Sequence, residues 1–182
     1  DTIFFAGENG VLYSCKLNTV FDAAAGTVSI NPERLVKYRY TGAGYSKYNV
    51  SDQRWYGVES SVAAFRNYLY FTDNGGRLQC VDANTYKLLF VADVGDDADA
   101  SVVIEESYED NTIYLYTAGQ VSRSDAALGE GYGYSYHKKI NGLTGAVVWE
   151  QRWIASTGDE NNSGGTLATP HVGRGDISNL VI

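Results

Sequence analysis

The sequence predicts an all-β fold assembled from repeated four-stranded antiparallel units, and three observations carry that expectation. An apolar pattern recurs along the chain, turn residues punctuate it every few positions, and helical periodicity is missing throughout. Composition agrees, with 15 Tyr and 20 Gly against 2 Pro and no Met in 182 residues. Tyrosine favours half-buried pleated surfaces, and glycine favours tight turns.

The repeat is read by laying the chain on itself. Ile3–Leu12 aligns with Leu69–Leu78, and the alignment runs without a gap to Asn18-Thr19 over Asn84-Thr85. Ile140–Trp149 in turn aligns with Val81–Phe90. The spacing between copies varies, as loop insertions allow, because closure entropy grows slowly with loop length. A small polar residue followed by apolar ones precedes each unit, at Ser60–Ala64, Ala100–Ile104 and Ala168–Val172.

Taken in chain order, the strands are named A to D within each unit. The first unit begins at a strand B over Ile3–Phe5, continues through strand C, and ends in strand D over Arg34–Tyr40. The stretch around Phe21–Ile30 is an insertion, because Gly26 and the alternation Thr27-Val28-Ser29-Ile30 argue against a helix. The second unit reads as strand A Ser61–Phe65, B Tyr68–Thr72, C Arg77–Asp82 and D Lys87–Ala92. Asp73-Asn74-Gly75-Gly76 supplies its B–C hairpin, since Asn and Gly tolerate positive φ. The third unit has strand A over Ala100–Ile104, strand B over Thr112–Thr117, strand C starting at His137 and strand D over Ala146–Gln151. Ala168–Val172 and the run from Leu180 start a fourth, for thirteen strands in all. From Ser61 to Ser101 is roughly 40 residues, one four-stranded β-propeller blade.

The expectation is therefore a single β-propeller region with blades over residues 1–57, 58–96, 97–157 and 158–182, the first and last partial. About three to four blades do not close a ring, so the region reads as an incomplete part of a seven- or eight-bladed propeller. Open blade faces at Ile3, Phe4 and Phe5 and at Leu180, Val181 and Ile182 would need covering, by the rest of a parent chain or by a second copy.

Net charge is −8 and the pI is near 4.7. An acidic surface repels phosphate backbones, which excludes nucleic acid as a partner. No apolar stretch reaches membrane-spanning length. Cys15 and Cys80 form no CxxC or disulfide framework and read as small apolar residues, with a bridge between them left open.

Four features could carry function. Asp93, Asp96, Asp97 and Asp99 crowd the loop from one strand D to the next strand A, as solvated carboxylates or as a Ca²⁺ site with only part of the usual ligand spacing. His137 and His171 lack HxH or HxxxH spacing and read as structural or surface residues. Arg174-Gly175-Asp176 is a three-residue match of the kind that arises by chance. Tyr132, Tyr134 and Tyr136 alternate as a strand does, placed either to pack or to stack on sugars.

The third copy also carries a recognisable motif: Asn141, then Thr144-Gly145, then Trp149. It resembles the repeat of the pyrroloquinoline-quinone (PQQ) type of quinoprotein propeller. The second copy keeps Asp82 and Thr85 but has Tyr86 for Gly and Phe90 for Trp. The resemblance implies that Gly145 permits the turn and that Trp149, like Phe90 one blade earlier, is buried between blades. It also implies that quinone-binding members use vicinal cysteines and Ca²⁺ ligands; Cys15 and Cys80 are far apart, so a PQQ cofactor is not expected. The resulting expectation is a non-catalytic binding or scaffold module of an exported, periplasmic or cell-surface bacterial protein, with a protein or carbohydrate ligand. The alternative is a fragment of a PQQ-dependent dehydrogenase whose active site lies partly in other blades.

Overall fold

The computed structural model describes residues 1–40, 53–158, 164–166, 168–177 and 180–181. Its strands pair antiparallel throughout, and no α-helix occurs among the described residues. Strands β1 (Thr2–Ala6) and β2 (Val11–Lys16) form a hairpin, and a ribbon of β3 (Val20–Asp22) and β4 (Thr27–Ser29) follows as an insertion. Strand β5 (Glu33–Arg39) returns to pair with β2.

The second sheet runs in chain order through β6 (Ala63–Phe65), β7 (Tyr68–Thr72), β8 (Arg77–Asp82) and β9 (Leu88–Asp93). The third contains β10 (Val103–Ser107) and β11 (Thr112–Ala118), then a two-residue strand β12 (Gln120–Val121) outside the sheet, then β13 (Tyr132–Asn141) and β14 (Val147–Ser156). Strand β12 pairs instead with β15 (Gly164–Gly165). Among the described residues the fourth unit contributes one antiparallel bridge, Val172 to Val181, where two strands were expected. Strand A of the third unit lies at Val103–Ser107, not Ala100–Ile104, because Ala100 and Val102 are buried in the connection that precedes it.

What makes these sheets propeller blades is that the second is buried on both faces. Leu69 and Phe71 of β7 point to one side, into a core shared with Leu12, Tyr40 and Tyr56. Tyr70 points to the other, into a core shared with Ile113, Leu115 and Ile140 of the third sheet. Successive strand residues alternate faces, so the apolar run Tyr68-Leu69-Tyr70-Phe71 is what a sheet covered on both sides requires.

A β-bulge sorts the outer strand between these two cores. Cys80 pairs with Phe90 but Val81 pairs with Leu88, leaving Leu89 extra and exposed. Without the bulge Leu88 and Phe90 would share a face. With it, Leu88 packs on the first core and Phe90 on the second. The third blade repeats the device: Lys139 pairs with Trp149 and Ile140 with Val147, so Val148 bulges.

The C–D turns show why the motif residues occur where they do. Asp82 Oδ1 accepts from the backbone N–H groups of Asn84 (3.0 Å) and Thr85 (2.8 Å) and from the Thr85 hydroxyl. Asn141 Oδ1 does the same for Leu143 and Thr144. Three residues after Asn141 and Asp82 comes Thr144 or Thr85, and the next residue is left-handed, Gly145 at φ 78° and Tyr86 at φ 56°. Gly145 is required because a Cβ there would lie 2.6 Å from the Phe90 ring. Tyr86 takes the same conformation at a cost of about 1–2 kcal/mol, offset by packing on the first core and a hydrogen bond with Ser14.

Trp149 is not buried as expected. It is 37% exposed, with its ring 6.4 Å from Tyr116 in a cavity also lined by Val172, Leu180 and Val181. It faces the start of the fourth unit, as Phe90 faces the third blade, but among the described residues one strand bridge, Val172 to Val181, lies over it. Trp149→Ala is therefore expected to cost about 1–2 kcal/mol in denaturant melts, not the roughly 3–5 of a fully enclosed aromatic.

Candidate functional site

The connection from β9 to β10 carries the four aspartates, and the structure separates them by partner. Asp93 is exposed, accepts from the Gly95 N–H and lies 3.5 Å from Arg77. Asp96 is buried in an ion pair with Arg123, and its Oδ2 also accepts the N–H groups of Ser122 and Arg123 at 2.8 Å. Asp97 Oδ2 accepts from the Ser122 hydroxyl (2.8 Å) and from Gln120 Nε2 (3.0 Å). The same Gln120 Nε2 donates to Asp99 Oδ2 at 2.8 Å.

Gln120 thus joins Asp97 to Asp99, and Ser122 joins Asp97 to Asp96, while Asp93 stands apart with Arg77. Burial raises the Asp97 and Asp99 carboxyls, and the charges of neighbouring acids raise them further, Asp96 and Glu59 acting on Asp97. Asp99 is pushed up to about 7, by burial first and then by Asp97 and Glu59. Among the described residues no three His, Cys, Asp or Glu side chains converge as a metal-ligand group.

Against Asp96 lies a cavity of about 250 Å³. Gly95 and Asp96 come to it from the β9–β10 connection, Arg123, Ser124 and Asp125 from the β12–β13 connection, and Tyr134 and Tyr136 from β13. The Tyr136 ring lies against Gly95, where a Cβ would meet it at 2.3 Å. The Tyr134 ring is 6.2 Å away from that of Tyr136 and carries the Arg152 guanidinium at 4.4 Å. Arg123 stacks over Trp55 at 4.3 Å. The guanidinium is held between an indole face and a carboxylate, which fixes its direction.

Sequence reasoning singled out Tyr134, Tyr136 and Asp96 but missed Gln120, Arg123 and Trp55. No spacing connects these three to the aspartates; the fold does. Tyr132 is exposed at the end of its strand. His137 lies on the opposite face of β13 from Tyr136, its Nε2 3.1 Å from the Thr166 hydroxyl and its ring edge-on to Trp153. Burial lowers its pKa. His171 and Arg174 are exposed, and Asp176 sits in a short 3₁₀ turn, Gly175–Ile177. Cys15 and Cys80 are both free thiols, and burial pushes Cys80 up to about 12.

No protein-family profile matches the chain, and no curated protein matches it. Solved structures that resemble it include BamB from Moraxella catarrhalis, at 16% identity over 82% of this chain and 33% of that one, with a TM-score of 0.43. A europium-containing methanol dehydrogenase matches at 14% identity over 83% of this chain and 23% of that one, TM-score 0.43. A quinohemoprotein alcohol dehydrogenase from Pseudomonas putida matches at 17% identity over 83% and 22%, TM-score 0.41. The chain spans a third or less of the length of each. The assignment as a β-propeller segment stands on its own sheet order and its two interblade cores. No helix among the described residues is long and apolar enough to cross a membrane.

Proposed function

We propose that this propeller segment is a non-catalytic binding module of an exported or cell-surface protein, and that the pocket beside Asp96 takes a small polar ligand of the carbohydrate class. The observation that supports this is the pairing of two tyrosine rings with fixed charged hydrogen-bonding groups in one concavity. A sugar ring presents C–H faces to an aromatic ring and hydroxyls to carboxylate and guanidinium, so the pocket offers both kinds of contact. At about 250 Å³ it lies below the usual drug-sized range and suits one sugar ring. Asp96 is neutralised by Arg123, and His137 is on the far side of β13. The groups facing the cavity are therefore arranged to hold a ligand.

Two-dimensional NMR of the labelled chain, titrated with a panel of mono- and oligosaccharides, tests the reading. Saturable shifts are expected at Gly95, Ser124 and Tyr134, and Tyr134→Ala should weaken binding about tenfold or more, in line with about 1.5 kcal/mol of aromatic contact. Shifts absent for every sugar would overturn it. PQQ with Ca²⁺ is expected to give no saturable uptake; stoichiometric binding would favour the dehydrogenase alternative.

A further inference from the structure

We propose that Asp97 and Asp99 form a proton-sharing carboxyl pair, holding one proton between them at neutral pH and carrying one negative charge instead of two. The geometry leaves the pair no other way to be satisfied by the described residues. Gln120 Nε2 spends its two hydrogens on the two Oδ2 atoms. Both Oδ1 atoms are buried and have no hydrogen-bond partner among the described residues, and Asp97 as a whole is only 8% exposed. Two adjacent carboxylates that share one amide donor and each leave a buried oxygen unpartnered cannot both stay ionised out of water. One shared proton converts one of them to a donor and satisfies an acceptor on the other.

The charged groups acting on the pair favour the same state. Glu59 and Asp96 are both acidic, and the nearby cation Arg123 is engaged by Asp96. The device is tied to the pocket, because Ser122 donates its hydroxyl to Asp97 and its N–H to Asp96. Protonation of the pair thus acts on the segment that carries Arg123. The proposal holds whatever the pocket binds.

The sign follows from the raised folded-state pKa. Uptake stabilises the fold fully below the unfolded value near 4, and the stabilisation is lost as pH rises through about 7. The test is ¹³C-detected titration of the aspartate carboxyls in the unmodified chain, with thermal melts at pH 8 and pH 6. One carboxyl step of the pair is expected between pH 6 and 8, with a Tm that rises on acidification in the unmodified chain. Asp99→Asn should flatten that rise, and Asp97→Asn provides the second variant if the first does not fold. Both carboxyls titrating below pH 5 would overturn the proposal. So would Ca²⁺ added at pH 8 raising Tm as acidification does, since the pair would then be a cation site.

Discussion

Tyr70→Ala is expected to destabilise the chain by about 4–6 kcal/mol. Tyr70 is fully buried between the second and third blades, and its hydroxyl donates to the carbonyl of Gly142 at 2.8 Å. Truncating a buried aromatic leaves a cavity worth about 3–5 kcal/mol, and the abandoned carbonyl adds about 1 kcal/mol. Tyr70→Phe separates the two contributions and should lose only about 1–2 kcal/mol. Urea melts with an unchanged m-value check both numbers. Equal losses for the two variants would mean that the hydroxyl, not the ring, holds the blades together.

Gly76→Val is expected to cost about 3–5 kcal/mol, through a different route. Gly76 has φ 74°, and a Cβ there would lie 2.6 Å from two backbone oxygens, those of Gly95 and Asp96. Neither can swing aside as a side chain can. Its carbonyl accepts the N–H of Val94, the residue after β9. Gly10 and Gly131 repeat the arrangement, with φ of 71° and 84° and carbonyls that accept from Tyr40 and Thr157. This glycine pins the end of each outer strand to the hairpin. Because the pinned segment at Gly76 leads into the aspartate loop, the valine variant should also abolish the ligand response proposed for the pocket.

The sequence made the second blade legible almost to the residue. Tyr68–Thr72 and Arg77–Asp82 are the observed limits of β7 and β8, because Asp73-Asn74-Gly75-Gly76 closes the hairpin by its own turn chemistry. Strand β12 and its partner β15 were not legible, since two residues carry no alternation to read. Trp149 shows a different limit. Periodicity and the bulge decide which face a side chain takes, but not whether anything covers that face. The aspartate cluster was visible as composition, while its division among Arg77, Arg123 and Gln120 depends on tertiary contacts with residues 16 to 27 positions away. A local motif cannot encode such a division, and no short pattern pointed to Arg123 or Trp55.

Consecutive blades meet face to face, with the Phe90 ring of one outer strand seated on the turn glycine Gly145 of the next blade. The direct measurement is an aromatic-edited NOESY spectrum of the chain, read at the Hα protons of Gly145. Cross-peaks to the Phe90 ring are expected, together with a ring-current displacement of the Gly145 Hα resonances that disappears in Phe90→Leu. A folded chain in which Gly145 shows neither the cross-peaks nor the displacement would contradict the blade packing, and with it the pocket built across the β9–β10 connection.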